Sequence, residues 1–341
     1  MAFGDVVGQE HVARFLQNGL RTDRLAHAYA FVGPSGTGRK QMALELAKAL
    51  HCERLSGDAC GECRNCRRID HGNHPDVTMI TPDGQSIKIE QVRQLQRAFQ
   101  YSAEKGATRV AILEQADKLT VQAANSLLKF LEEPSLRMVV VLIAENVHAL
   151  LPTIRSRCQL LRFTPLSPHV IAQSLEQEGI SPTLARIAGH LSQGLGQARK
   201  LASGDGFAQL CERVIKWSEE LLSTRSAALV TLQTEWMDRE ASKETLETML
   251  DLMLLWLRDL LRVKLGSAGE PVFVEWSAVR ERQAAQWTIS HLIHAMESIL
   301  HARRQLAGPM QPQAVLDQMV LVMQEGSVHV GSRRSPLQAS G

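Results

Sequence analysis

Apolar residues in the first half of the chain fall into two alternating patterns. Short, nearly continuous apolar runs are typical of strands buried in a parallel sheet. These runs lie at 28–32, 77–80, 109–114, 138–144 and 159–163. Between them, apolar residues recur every three or four positions, which predicts helices at 7–25, 42–50, 90–101 and 123–131. The alternation predicts an α/β fold with a doubly wound parallel sheet of about five strands.

The pattern changes after Pro165, where the strand-like runs stop. Short amphipathic segments at 168–178 and 183–192, with Gly194 and Gly196 after the second, predict a small helical domain over 166–205. An all-helical domain is predicted over 206–326 from long amphipathic runs at 207–222, 243–264 and 290–306. The segment 327–341 is rich in Gly and Ser, which predicts a disordered tail. The first domain then covers 1–165, with a cysteine-rich insertion at 51–75.

Composition limits the class of protein. The 341 residues are 44% hydrophobic and 22% charged, as in ordinary globular proteins, and a formal charge of +2 does not favour a stand-alone nucleic-acid binder. The first residues show no secretory signal, and no apolar run approaches the ~18 to 20 residues that span a bilayer. We therefore expect a cytoplasmic protein with about two or three domains.

The first predicted strand leads into a glycine-rich loop and a helix, which is the context of a phosphate-binding loop. Gly33 and Gly38 keep the spacing of the G-x-x-x-x-G-K-[ST] motif, and Gly36 lies between them. Arg39 replaces the motif's Lys, and Lys40 replaces the hydroxyl residue that holds magnesium. Arg39 could still hold an anion, but we expect binding of ATP or ADP to be weak or absent. The alternative is a loop that caps the helix without any ligand.

The end of the predicted strand 109–114 is the second place where the chain differs from an active ATPase. An ATPase of this architecture places acidic residues there to hold magnesium and activate water. This chain has Glu114 and Gln115, followed by Asp117. Because an amide cannot act as a general base, the sequence predicts that hydrolysis has been lost. Glu114 and Asp117 could equally do no more than solvate the strand end.

A cluster of cysteines marks the insertion. Cys52, Cys60, Cys63 and Cys66 supply four thiolates within a short polar loop, which predicts a structural zinc site. A redox pair is the rival hypothesis, although it would not need four clustered cysteines. Three nearby histidines could replace one thiolate, but we expect them to be solvated loop residues: His51, His71 and His74. The isolated Cys158 and Cys211 are expected to be ordinary buried residues.

Four motifs together carry a resemblance to a known family. In order, they are HAY at 27–29, the cysteine cluster, the string NSLLKFLEEP at 125–134 and SRC at 156–158. The chain resembles the bacterial clamp-loader branch of the AAA+ proteins from about residue 5 to 326. The long string and the SRC triplet are the specific parts of this match. An arginine placed just before the last strand, such as Arg157, can stabilise charge on a neighbouring subunit's nucleotide, although most surface arginines do not.

The resemblance implies three domains: the first two form an AAA+ module with a helical lid, and the third joins a helical collar with four other subunits. It implies that Arg157 is a finger acting in trans on ATP bound by an adjacent gamma/tau subunit, and that the cysteine cluster is a zinc module. Gamma/tau and delta subunits are the implied partners, and the sliding clamp and primer-template DNA are indirect ones. Gln197 stands where active relatives have an ATP-sensing arginine, although Arg199 is close.

The degenerate phosphate loop points to a member of this family that does not hydrolyse ATP. We expect a stator subunit that helps to place the sliding clamp on primed DNA during replication. It would have no ATPase activity alone, yet belong to the DNA polymerase III holoenzyme, a DNA-directed DNA polymerase. Two alternatives remain open: an ATP-hydrolysing motor subunit of the same complex, and a zinc-dependent nucleic-acid binding module.

Overall fold

A computed structural model of the chain describes residues 3–54, 57–101, 108–132, 138–204, 206–223, 225–237, 242–267 and 269–325. The chain divides into two units. The first comprises Met1–Ile171 with Ser192–Gln197, and the second comprises Ala172–Leu191 with Ala198–Gly341. The predicted tail at 327–341 and the last two residues of the 125–134 string lie outside the described residues.

A five-stranded parallel sheet forms the centre of the first unit. The strands are β1 (Ala28–Val32), β2 (Val77–Ile80), β3 (Arg109–Leu113), β4 (Met138–Ala144) and β5 (Gln159–Arg162). Their order across the sheet is β2-β3-β4-β1-β5. Val32 at the end of β1 pairs with Ala144 of β4 and with Arg162 of β5. The loops that follow these strands therefore open on one edge of the sheet, where α/β proteins place their ligands.

Helices cover both faces of this sheet. They are α1 (Glu10–Arg21), α2 (Arg39–His51), α3 (Arg64–Asp70), α4 (Ile89–Tyr101), α5 (Val121–Glu132) and α6 (Pro152–Arg155). Successive β1 residues point to opposite faces: Tyr29 and Phe31 pack with α1 and α2, whereas Ala30 and Val32 pack with α4 and α5. The predicted doubly wound parallel sheet is confirmed.

The cysteine-rich insertion contains a helix that the sequence did not reveal. We expected a polar loop, but α3 runs through it and buries Cys66 and Ile69. A helix of 7 residues is too short for its apolar spacing to be recognised. The buried ammonium of Lys48 on α2 holds α3 in place, because it lies 2.9 Å from Glu45 Oε1 and 2.5 Å from Asp70 Oδ1.

The chain after β5 is helical, and no further strand occurs among its described residues. Its helices are α7 (Pro168–Gln177), α8 (Pro182–Leu191), α9 (Leu195–Ala202), α10 (Phe207–Ser223), α11 (Arg225–Thr231), α12 (Lys243–Lys264), α13 (Ser277–Gln286), α14 (Ile289–Leu306) and α15 (Pro312–Glu325). We predicted Gly196 between two helices, whereas it lies in the first turn of α9. In the described part of the chain, no helix is both long enough and apolar enough to cross a membrane.

A buried glutamine joins three helices of the second unit. Gln283 on α13 is fully buried, and its Oε1 accepts the indole N–H of Trp256 on α12 at 2.8 Å. The same oxygen accepts the hydroxyl of Ser218 on α10 at 2.9 Å. These bonds fix how α10, α12 and α13 meet, because a buried donor without an acceptor is costly.

We expect Gln283→Leu to lower the free energy of unfolding of the second unit by about 2 kcal/mol, because the Trp256 indole loses its buried acceptor. All five tryptophans lie in this unit, so urea denaturation followed by tryptophan fluorescence reports on it selectively. The control is Gln286→Leu, the same change at an exposed position of α13. Equal losses from the two variants would contradict the role of Gln283.

Candidate functional site

The glycine-rich loop between β1 and α2 has the backbone of a phosphate-binding loop. Gly36 and Gly38 adopt φ angles of +79° and +87°, in the left-handed region that favours glycine. A side chain at Gly33 would overlap the carbonyl of Phe163, so this position also requires glycine. The hydroxyl of Thr37 donates to the carbonyl of Pro34 at 2.8 Å and is therefore turned back into the loop.

Arg39, which replaces the motif's lysine, is tied to the end of β4. Its buried guanidinium donates through Nη1 to the carbonyl of Ala144, and its Nη2 lies 3.6 Å from Glu145 Oε1. Burial lowers the pKa of Arg39 from its usual value, and the carboxylates of Glu145 and Asp117 oppose this shift. The arginine that we expected to be a possible anion ligand thus already has two acceptors. Sequence analysis missed Glu145, although it follows β4 as Glu114 follows β3.

Lys40 forms an ion pair with the acidic residue at the end of β3. Its Nζ lies 2.5 Å from Glu114 Oε1, and the Glu114 side chain is only 18% exposed. Gln115 follows in the left-handed region at φ +52° and leads into a short helix that contains Asp117. Asp117 Oδ1 accepts the amide of Glu145 at 3.3 Å. The geometry therefore brings the two predicted departures, at Lys40 and at Glu114, into direct contact.

The segment Ser192–Gln197 of the first unit lies directly on the loop. A side chain at Gly194 would overlap the carbonyl of Gly36, so the two backbones are in contact at this point. The position of a Cβ on Gly36 would also lie 3.4 Å from the amide nitrogen of Gln197. The residue predicted to replace an ATP-sensing arginine is thus packed on the loop itself.

The four predicted cysteines come together. Their sulfur atoms all lie within 4.8 Å of one another, and Cys60 Sγ and Cys66 Sγ are 3.9 Å apart. Sulfurs about 2.3 Å from a tetrahedral zinc ion would be separated by roughly 3.8 Å. The amide of Cys63 donates to Cys60 Sγ at 3.3 Å, and such backbone bonds lower the pKa of Cys60 to about 6. Burial raises the pKa of Cys66 to about 12, so the support for a metal site comes from the spacing of the four sulfurs, which could hold a metal ion.

The histidines near the cluster are placed differently from our expectation. His71 is exposed, as predicted, but His74 is only 8% exposed and His51 is half-buried at the end of α2. Their two rings lie 4.4 Å apart, and burial, reinforced by the charge of His74, lowers the pKa of His51 to about 4. The prediction of solvated loop histidines was therefore wrong for this pair, because the last turn of α2 directs His51 inward. Within the described residues, the group that could hold a metal ion contains only cysteines.

Arg157 lies at the surface of the first unit, just before β5. Its Nη2 is 2.7 Å from Glu132 Oε1 at the end of α5, and its Nη1 donates to the carbonyl of Thr153 at 3.0 Å. The side chain is 36% exposed. The neighbouring Cys158 is half-buried, and burial raises the pKa of its thiol to about 12. Two motifs that are separate in sequence, the 125–134 string and the SRC triplet, thus meet through one ion pair.

Comparison with known proteins gives matches along most of the chain. The family model described as DNA polymerase III, delta subunit, matches residues 8–167, and the model described as DNA polymerase III, delta subunit, C terminal, matches residues 219–321. The DNA polymerase III subunit delta-prime of Bacillus subtilis is 37% identical over 318 residues, covering 93% of this chain and 97% of that protein.

Two further relatives show the same relationship. The DNA polymerase III subunit delta-prime of Pseudomonas aeruginosa is 34% identical over 248 residues, covering 70% of this chain and 73% of that protein. The DNA polymerase III subunit tau of Escherichia coli is 37% identical over 217 residues, covering 60% of this chain and 34% of that protein. Because the identity to a delta-prime subunit extends over nearly the full length of both chains, this protein belongs to the delta-prime subunit family of the DNA polymerase III clamp loader.

Proposed function

We propose that this chain is a non-hydrolysing stator of the DNA polymerase III clamp loader. In this role it helps to load the sliding clamp onto primed DNA, and it supplies Arg157 to ATP bound by a neighbouring gamma/tau subunit. The observation that carries the proposal is the ion pair between Lys40 and Glu114. This ion pair argues against ATP hydrolysis by the chain itself.

Hydrolysis in a phosphate-loop enzyme needs a lysine on the outer phosphates, a hydroxyl on magnesium and a strand-end carboxylate near the metal. Here the ammonium of Lys40 replaces the hydroxyl and occupies the carboxylate of Glu114. Arg39, in the lysine position, is committed to Ala144 and Glu145. A magnesium ion would have to displace an attached cation, which makes the ATP-hydrolysing motor the less favoured alternative.

The partners that we propose are the gamma/tau and delta subunits, with the sliding clamp and primer-template DNA as indirect partners. The similarity to a tau subunit supports an assembly of related chains. The helices α14 and α15 also keep large apolar side chains exposed, as expected of a collar that packs against other subunits. These side chains are Ile289, Ile293, Leu300 and Leu321, each 42% exposed or more.

The contacts of Arg157 are weak enough to be exchanged for contacts with a neighbouring subunit. A partly exposed ion pair such as Arg157–Glu132 contributes only about 0–1 kcal/mol, so it can be exchanged for a stronger partner. The γ-phosphoryl group of a neighbour's ATP would be such a partner, because charge-assisted bonds to phosphate are strong in a water-excluded site. Glu132 would then keep the guanidinium oriented until the neighbour binds.

For the cysteine cluster we propose one structural zinc ion. Cys52, Cys60, Cys63 and Cys66 would be its four ligands, and the ion would close the tetrahedron that they outline. In this role the metal stabilises the insertion, whose own apolar residues are few. The buried Lys48 and its two carboxylates then attach the insertion to α2.

The purified chain is expected to hydrolyse no ATP above background, because its own cations occupy the strand-end carboxylates. Phosphate release measured with and without primed DNA tests this, with a gamma/tau subunit assayed in parallel as the active control. Lys40→Ala should leave the background unchanged. Turnover comparable to that of the assembled complex, abolished by Lys40→Ala, would instead identify a motor subunit.

Arg157→Ala should leave this subunit folded but slow DNA-stimulated ATP hydrolysis of the reconstituted complex severalfold, because one site loses its trans guanidinium. Arg155→Ala is the matched control, since Arg155 is exposed, lies two residues before Arg157 and forms no ion pair in the described part of the chain. The measurement is the hydrolysis rate of complexes that assemble equally well. Equal rates for the Arg157→Ala and wild-type complexes would refute the role in trans.

Metal analysis of the purified chain should find about one zinc per chain. Cys63→Ser is expected to lower this value and the thermal stability of the first unit, because three thiolates no longer close the tetrahedron. Cys158→Ser, outside the cluster, should keep the zinc. A metal-free preparation that is fully folded would show that the cluster has no structural ion.

A further inference from the structure

Four basic side chains meet between α8 and α12 of the second unit. Arg186 and His190 lie one turn apart on α8, and Arg258 and Arg262 lie one turn apart on α12. All four are half-buried. A half-buried guanidinium has lost part of its hydration and needs acceptors to replace the lost water. The hydrogen-bond acceptors of each arginine therefore indicate whether the chain itself replaces the lost water.

The segment after α12 supplies acceptors to two of the arginines. Arg186 Nη1 donates to the carbonyl of Pro271 at 3.2 Å and lies 3.3 Å from Glu270 Oε2. Arg262 Nη1 donates to the carbonyl of Glu270 at 3.3 Å. The Glu270 side chain is 79% exposed, so water screens its charge. These contacts hold Arg186 and Arg262 in place but neutralise them only in part.

Arg258 has no comparable acceptor. Its Nη2 donates to Nδ1 of His190 at 3.4 Å, and its Nε is buried without a hydrogen-bond partner in the part of the chain that the structure describes. The buried carboxylate of Asp259 is close enough for its charge to oppose the lowering of the Arg258 pKa by burial, but it accepts no hydrogen bond from the guanidinium. Its Oδ2 accepts the amides of Val272 and Phe273, and its Oδ1 has no hydrogen-bond partner among the described residues. Burial, followed by the charge of Arg258, lowers the pKa of His190 to about 4, so the imidazole is neutral. A buried donor of this kind calls for an explanation, and a missing anion is one.

We propose that Arg258, together with Arg186 and Arg262, forms a binding site for a phosphate group. The planar guanidinium fork matches two oxygens of a tetrahedral oxyanion, and the unpaired Nε–H would supply one of the two donors. Several converging guanidinium groups suit the charge and oxygen count of phosphate. The site is independent of Arg157 and of the phosphate loop. Its ligand is either free phosphate or a phosphate of the nucleic-acid backbone.

Thermal unfolding followed by tryptophan fluorescence tests the site, because all five tryptophans lie in the same unit. At equal ionic strength, replacing chloride by inorganic phosphate should raise the Tm of the wild-type chain by about 2–4 °C. Arg258→Gln should lose this rise, and Arg262→Gln should reduce it. Arg304→Gln, at an exposed position of α14, is the matched control and should respond as the wild type does. It also corrects for the general stabilising effect of phosphate on proteins.

A second readout separates an anion site from a structural arginine. In chloride, Arg258→Gln should be at least as stable as the wild type, because the change removes a half-buried charge whose burial no hydrogen-bonded anion offsets. A lower Tm in chloride, or a phosphate response that Arg258→Gln retains, would overturn the proposal. Binding to primer-template DNA then identifies the source of the phosphate. A severalfold loss in Arg258→Gln relative to Arg304→Gln assigns the site to the nucleic-acid backbone, and equal binding assigns it to free phosphate.

Discussion

The central constraint in this molecule is the balance of charge at the carboxyl edge of the sheet. Two cations that begin α2 meet the two carboxylates that follow β3 and β4: Lys40 lies on Glu114, and Arg39 lies on Glu145. In a phosphate-loop enzyme, nucleotide phosphates and a metal ion complete that balance. In this chain, Lys40 and Arg39 pair with these carboxylates without any ligand. A pocket whose charges are already paired gains little by taking up a charged ligand, since each new contact must break an existing one.

The fold does not depend on this pocket, which explains how the pocket can change while the architecture persists. The two apolar clusters of the first unit lie on the faces of the sheet, whereas the charged residues lie at its edge. The loss of ligand binding that we propose would therefore cost no buried apolar surface. Arg157 depends on the fold in a different way, because α5 and the turn before β5 must hold Glu132 and the guanidinium together.

Sequence reasoning succeeded where a long pattern has one explanation and failed where contacts between distant residues decide. The strand at 138–144 and the helix at 243–264 have the predicted bounds, because the continuous apolar run of the strand and the apolar periodicity of the helix extend over the whole element. The helix α3 is too short to show a period. The inward turn of His51 toward His74 and the pairing of Lys40 with Glu114 depend on tertiary geometry, which composition and spacing do not encode.

The degree to which each cation is compensated indicates what it does. Lys48 is buried between two carboxylates and holds one element on another, as a structural charge must. Arg157 pairs with one partly exposed carboxylate, that of Glu132. This ion pair can orient the guanidinium but is too weak to prevent it from binding a stronger partner. Arg258 has a neutral imidazole and a buried donor with no acceptor in the described chain. Both of our proposals for these arginines follow from this imbalance, because a cation that the chain compensates only in part can gain most from a charge supplied by a ligand or a partner.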